Sequence, residues 1–390
     1  MILSFYFCKR KNRYKSLRSI MNDNLYIHYQ WIKTKSGDQS TIFYIILFSK
    51  LYSMLLSEKN QFLRESFRLN AVLLLKCNDN LVLMKSAVDE LYRVASYITD
   101  VRVDQCGESK EIVQPLWKVD DMKTSGFYLL EMKRIAVFLR GIYKAVNAKL
   151  SEVTSRPVRI LYAGSGPYGE LLTPLLHLYK ANEVLVDFIE INPVLLLSLQ
   201  KLIDGLELRQ YVDEFYCADV TTFTVSKSYD IVISETMLAC IKRESQVAVM
   251  QNLIPQLSKD CIFIPEEISI NASLITPWIQ MESLSYYQNE QALLERYPLG
   301  NVFKLGKLTI QNLSEHKVVE IPDEIARFPL LKLFTTVKVY RDEVLIDNDS
   351  GITLPKQYYD FREKAAREVE FWYTGGENPQ IESRIVENNR

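Results

Sequence analysis

Four kinds of residue in the middle of this 390-residue chain carry types and spacings suited to chemistry. The run Arg159-Ile-Leu-Tyr-Ala-Gly-Ser-Gly-Pro-Tyr-Gly-Glu170 reads as a strand, a glycine-rich turn and the start of a helix expected over Leu171 to Lys180. Gly164, Ser165 and Gly166 would let backbone approach a ligand closely, and a helix start beyond them would offer free N–H groups. The same turn also suits a plain tight βα connection. Glu190 closes the apolar run Val184-Leu-Val-Asp-Phe-Ile189, twenty-four residues after Gly166. An acid at that strand end suits a ribose diol, because one carboxylate accepts hydrogen bonds from both hydroxyls.

Asp219 follows the run Glu214-Phe-Tyr-Cys217, where it can accept from an adenine amino group or simply cap its own loop. Glu235 and Glu244, nine residues apart, flank the loop that follows Tyr229-Asp-Ile-Val-Ile-Ser234. That places two carboxylates where α/β folds hold their ligands, at the carboxyl edge of a sheet. The alternative for this pair is a solvated loop and an early helical glutamate, which the helix dipole favours.

These residues need a scaffold that brings successive strand ends to one edge. The short apolar runs 159–162, 184–189, 214–217, 229–233 and 261–264 alternate with longer helical stretches, the βα rhythm of a doubly wound parallel sheet. Ahead of them, Met122 to Leu150 repeats apolar residues at helical spacing with Lys133, Arg134 and Arg140 interleaved. From Asn22 to about Glu111 the pattern is also helical. Beyond Ile268 it turns to β-branched, alternating segments (268–275, 307–311, 333–340, 368–373), which fit an antiparallel β region. The aromatic strand 371–374 reads as packed in its own core. The expected organisation is a helical N-terminal domain (1–120), a Rossmann-like α/β catalytic domain (121–267) and a β-rich, barrel-like C-terminal domain (268–390).

Composition excludes several classes. Hydrophobic residues make up 48% and charged residues 24%, the values of a folded globular protein and not of a disordered one. With 47 basic against 48 acidic residues, no overall field favours nucleic acid or an anionic membrane. Six scattered cysteines, without CxxC or His/Cys clusters, imply a reduced, cytoplasmic, metal-free protein. The apolar-then-basic order of residues 1–13 is the reverse of a secretory signal, and residues 1–20 are expected to lie upstream of a start at Met21. The apolar stretch Thr41 to Leu56, interrupted by Ser49, Lys50 and Ser53, falls short of the roughly 20 residues of a membrane span and is read as a buried helix.

Taken together, residues 160–268 resemble the catalytic core of the protein arginine methyltransferases, which use S-adenosylmethionine (SAM). Ser234-Glu235 with Glu244 is similar to that family's double-glutamate loop, and Gly-Ser-Gly-Pro with Glu190-Ile-Asn-Pro resembles its symmetric-dimethylating branch. Ile262-Phe-Ile-Pro-Glu-Glu267 is similar to the family's strand leading into a C-terminal barrel. The resemblance implies SAM as cofactor, Glu235 and Glu244 as the clamp on a cationic or amino acceptor, and Arg134 as partner of the SAM carboxylate. It also implies a homodimer joined by an arm, for which Ile279 to Arg296 is the counterpart. Two features depart from the family: Leu238 stands where a glycine is usual, and no Thr-His-Trp triplet occurs. These departures favour a small amine or a natural-product or peptide precursor as a second reading. Two further alternatives are aminocarboxypropyl transfer, as in nicotianamine synthases with their Gly-Ser-Gly-Pro turn, and a non-catalytic interaction module.

Overall fold

The computed structural model describes residues 59–99, 122–242, 245–276, 296–313, 315–322, 327–362, 366–376 and 378–386, with backbone alone at 122–130. Glu244, the arm expected at 279–296 apart from Arg296, the 41–56 segment and the first twenty residues therefore lie outside the described residues. The chain divides into two compact units, residues 1–61 and 62–390. In the first, the described residues 59–61 are helical.

In the second unit, α1 (residues 62–76) and α2 (Leu81–Thr99) are amphipathic, with Phe67, Leu74, Met84, Val88 and Val94 buried. α3 (Met122–Glu152) leads to a parallel sheet of β1 (Val158–Ala163), β2 (Val184–Glu190), β3 (Val212–Cys217), β4 (Ile231–Ser234) and β5 (Ile262–Ile264). Its order, β3-β2-β1-β4-β5, is that of a Rossmann-like half-sheet with β1 at its centre. β1, β2 and β4 are apolar runs buried on both faces, as parallel strands covered by helices must be. Helices α4 (Thr173–Leu176), α5 (Pro193–Gly205) and α6 (Gln246–Leu253) complete this layer.

Register decides what meets at the carboxyl edge. Ala163 pairs with Ile189 on one side and with Ser234 on the other. Gly164, Glu190 and Glu235 each come one residue after that row, so three strands deliver them to the same edge. Within the sheet, Asp187 of β2 is buried, and its charge is matched by Lys227 Nζ at 3.0 Å, Tyr229 OH at 2.6 Å and the Glu214 N–H at 2.8 Å. A buried carboxylate persists only with such partners.

The remaining strands form two antiparallel sheets. One has the order β10-β9-β6-β7, with β11 also on β9; the other is β13-β12-β8. β6 (Glu267–Ile275), β7 (Arg296–Gly306) and β9 (Leu330–Tyr340) are long, and β6 pairs along its whole length with both neighbours. The others are β8 (Lys317–Glu320), β10 (Glu343–Leu345), β11 (Lys356–Asp360), β12 (Glu368–Thr374) and β13 (Gln380–Ile385). Phe371 is fully buried and Tyr373 packs on Phe303 with ring centroids 5.3 Å apart, so this aromatic strand serves a core. α3 carries its basic residues toward the β-rich part: Lys133 pairs with Asp349 at 2.6 Å and Arg140 with Glu343 at 2.9 Å.

Two expected elements differ. The helix read over Leu171 to Lys180 is α-helical only at Thr173–Leu176. Leu172, Leu175, Leu178 and Tyr179 donate to the carbonyl three residues back, and Pro174 has no N–H, so a tighter coil forms. The segment 307–311 is a turn, not a strand. β7 ends at Gly306, whose carbonyl accepts from both Thr309 and Ile310, while Lys307 Nζ bonds the carbonyls of Ser258, Lys259 and Cys261 at 2.7–2.9 Å. Among the described residues no helix is long and apolar enough to cross a membrane, and no His/Cys/Asp/Glu cluster is shaped for a metal.

Candidate active site

The glycine-rich turn is left-handed at both glycines, with φ +76° at Gly164 and +63° at Gly166, a conformation that favours glycine. A Cβ on Gly164 would lie 2.8 Å from Thr236 Cγ2, so turn and post-β4 loop are pressed together there. At Gly166 a Cβ would meet nothing nearer than Glu170 Oε2 at 3.9 Å, which leaves that face of the turn open. The N–H groups of Gly164 and Ser165 are spent on the Ile189 carbonyl. Ser165 Oγ is buried without a hydrogen-bond partner, and so is Ser234 Oγ at the end of β4.

Glu190 is 6% exposed. Its Oε2 accepts from the Gly166 N–H and its Oε1 from the Asn192 N–H, both at 2.9 Å. The helix that follows starts cleanly because Asn192 Oδ1 caps Val194 N at 2.9 Å and Pro193 occupies the first turn. A carboxylate has about four acceptor directions, so two remain for a ligand. Cys217, paired in register with Glu190, ends β3 with an exposed thiol. Asp219 caps its own turn: Oδ1 accepts from Thr221 N at 2.8 Å and Thr221 Oγ1 at 2.7 Å. It is exposed, and no ligand contact singles it out from a capping aspartate.

Glu235 and Arg134 are brought together by the fold although 101 residues separate them. Arg134 Nη1 donates to Glu235 Oε2, Nε donates to Glu131 Oε2 at 2.5 Å, and Nη2 stands 3.8 Å from Glu170 Oε1. Glu131 lies one helical turn before Arg134 on the same face, and its other oxygen takes the Gly351 N–H at 3.3 Å. Three carboxylates thus surround one guanidinium. Burial raises the Glu235 carboxyl to about 7; Arg134 pulls it down, while Glu131 and Glu170 push it up. Burial also raises Glu170. Burial disfavours the charged Arg134, yet Glu131, Glu235 and Glu170 outweigh it and hold its pKa well above the usual value.

The loop after Glu235 is fastened at its neck. Gln246, fully buried at the start of α6, accepts from Thr236 N at 2.9 Å and Thr236 Oγ1 at 3.0 Å and donates to the Ser234 carbonyl at 3.1 Å. Both peptide neighbours of Glu235 are therefore bonded to one side chain, two residues after Glu244 in the sequence. Further along, Cys240 and Ile241 hold φ of +56° and +52°, sparsely populated for residues with side chains. Cys240 N donates to Thr335 Oγ1 at 3.2 Å and so anchors the loop to β9.

Sequence reasoning singled out Gly164, Ser165, Gly166, Glu190, Glu235 and Arg134, and all six gather at one sheet edge. It missed Glu131, Glu170 and Gln246. Glu131 had a signal in its spacing from Arg134; Gln246 had none, because its partners are set by tertiary packing.

No protein-family profile matches the chain, and no curated protein matches it. Among solved structures it is similar to the Trypanosoma brucei PRMT1 enzyme–prozyme heterotetrameric complex with AdoHcy, at 14% identity and a TM-score of 0.44 over 66% of this chain and 92% of that one. It is similar to Arabidopsis thaliana protein arginine methyltransferase 10 at 13% identity and a TM-score of 0.47, over 69% and 95% of the two chains. For PRMT6 with SAH the values are 12%, 0.46, 68% and 100%. Likenesses this distant add nothing to what the strand order establishes.

Proposed function

We propose that the chain is a SAM-dependent methyltransferase that transfers a methyl group to nitrogen of a cationic or amino acceptor. The observation that carries the reading is the Gly166 N–H bonded to Glu190 at the carboxyl edge of a β3-β2-β1-β4-β5 sheet. It fixes a carboxylate with spare acceptor directions beside an open backbone face, the pairing a ribose diol requires. The other groups fit the same ligand: a guanidinium for its carboxylate, and an unpartnered Ser165 hydroxyl on the turn. Asp219 is assigned the adenine amino group through its second oxygen.

SAM, when bound, supplies the electrophilic methyl on its sulfonium. Arg134 holds the cofactor's α-carboxylate and Glu190 the ribose. Glu235, with Glu244 as its partner, accepts hydrogen bonds from the acceptor's N–H groups and aligns the nitrogen lone pair. With a carboxyl poised near 7, Glu235 is ionised enough at neutral pH to hold a cation, and Arg134 beside it favours that form. It is also placed to take the proton that the nitrogen loses on methylation. The acceptor is a protein, a peptide or a small amine. Residues 121–267 would be the catalytic domain, and 268–390 would support the loop after Glu235.

Calorimetric titration with SAM and S-adenosylhomocysteine tests the reading. Binding of both by wild type, with methyl transfer from labelled SAM to an amine-bearing acceptor lost in Glu235→Gln, is the expected outcome. A wild-type protein that binds neither ligand would return the chain to the class of interaction modules.

A further inference from the structure

The loop after Glu235 comes to rest on the C-terminal sheet, and two cations stand beside it there. Cys240 Sγ donates to the Leu333 carbonyl at 3.7 Å and lies 3.6 Å from Thr335 Oγ1. Lys356 opens β11 directly opposite Leu333 of β9, and its backbone N–H reaches the same Cys240 thiol. Its side chain is half-buried, while Lys242, two residues after Cys240, is exposed. The segment just before Lys356 is tied to the Arg134 cluster, since the Gly351 N–H bonds Glu131. Cys240 comes five residues after Glu235 (240 − 235), a span of at most roughly 18 Å. Both lysines are therefore within reach of a short peptide whose basic side chain is held at Glu235.

Elsewhere this protein matches the cations that it covers. Lys133, Arg140, Lys149 and Lys227 each meet a carboxylate within 3.0 Å. Among the described residues neither Lys356 nor Lys242 does; the titratable groups that act on Lys356 are the Cys240 thiol and the Lys242 ammonium. Burial lowers the Lys356 pKa from the ordinary lysine value, and Lys242 adds to that while Cys240 opposes it. Lys332 is also covered without a carboxylate, but strand alternation turns it to the other face of β9, away from Cys240. A second cation beside a partly desolvated lysine destabilises the free protein, and an anion entering between the two relieves it.

We propose that Lys356 and Lys242 bind a carboxylate of the acceptor, so that the substrate is an acidic peptide with aspartate or glutamate near the basic residue held by Glu235. The proposal rests on the methyltransferase reading and adds a substrate class to it. Opposite charges on one peptide are then read at opposite ends of the loop 236–242. A purely basic peptide gains nothing at the lysines and meets like charge there.

Calorimetric titration of the protein loaded with S-adenosylhomocysteine, using matched pairs of short peptides, tests this. In each pair one central basic residue, arginine or lysine, is flanked either by aspartates or by the isosteric, neutral asparagines. The expected result is an acidic peptide bound roughly tenfold more tightly than its neutral twin, the size of a hydrogen bond to a charged group. Lys356→Gln should abolish that preference and leave the affinity of the neutral twin unchanged. Equal affinities within both pairs, no binding of any peptide, or a preference that survives in Lys356→Gln would overturn the assignment. Should Lys356→Gln fail to fold, Lys242→Gln, at an exposed side chain, must weaken the same preference. Wild type that takes up no S-adenosylhomocysteine sinks the cofactor reading itself; wild type that takes it up and ignores the aspartates sinks only this proposal.

Discussion

Replacing Glu235 by glutamine should make the protein more stable at alkaline pH than the natural chain. The carboxyl is 8% exposed, and burial raises it from 4.5 to about 7. A carboxyl whose folded value is raised binds its proton more tightly in the native state. Its contribution is fully present below pH 4.5 and is lost as pH rises through about 7. At about 1.4 kcal/mol per unit, the loss amounts to about 3 kcal/mol by pH 8. Glutamine does not titrate, keeps an oxygen for Arg134 Nη1, and leaves Glu131 and Glu170 to match the guanidinium. The second unit spans about 330 residues, so with an unfolding entropy of roughly 2 cal/mol/K per residue, 3 kcal/mol corresponds to a Tm difference of about 4 °C. Differential scanning calorimetry of both proteins from pH 4 to pH 8 reads this difference directly. Parallel pH profiles for variant and wild type would refute the account of Glu235 as a buried, raised carboxyl.

Glu190→Ala strands the N–H groups of Gly166 and Asn192 and removes the carboxylate proposed to accept from the ribose hydroxyls; on that proposal, affinity for S-adenosylhomocysteine should fall about a hundredfold by calorimetry. Gly164→Ala forces a side chain into the left-handed region and against Thr236 Cγ2. It should cost about 1–2 kcal/mol in urea unfolding and abolish cofactor binding at the same time. Asp187→Asn leaves Lys227 with Asp213 as its carboxylate partner and should lower the unfolding free energy by about 3 kcal/mol at pH 7, without touching cofactor affinity in the surviving folded protein. Phe371→Ala, at a fully buried ring in the smaller antiparallel sheet, should cost about 3–5 kcal/mol; a smaller loss would mean that this sheet unfolds independently.

The parallel sheet was legible because its signals are local. Val158–Ala163, Val184–Glu190 and Ile231–Ser234 are apolar runs bounded by turn residues, and strand ends announce the edge where ligands bind. Glu190 could be placed from spacing alone for the same reason. The helix after the glycine-rich turn was overread, since apolar spacing does not reveal that i→i+3 bonds will close the chain around Pro174. The strand expected at 307–311 failed because alternation says nothing about Lys307 reaching back to three carbonyls beside β5. The composition of the Arg134 cluster was out of reach in a different way. Glu131, Glu170 and Glu235 come from a helix, a turn and a strand end, and only the packing of α3 across the sheet edge assembles them. Gln246 is a polar residue in the first turn of a helix, a position that in sequence suggests a solvated side chain.

Among the described cysteines, Cys77, Cys240 and Cys261 are buried and Cys217 alone is exposed. Burial raises the thiol pKa of those three, to about 12 for Cys261. Maleimide reagents, which attack thiolates, will therefore leave them aside. With Cys8 and Cys106 replaced by serine, a fluorophore could be attached at Cys217 alone, on the strand position paired with Glu190. Its emission would report in real time any ligand that enters beside the Glu190 carboxylate, so the proposed cofactor reading becomes an optical titration.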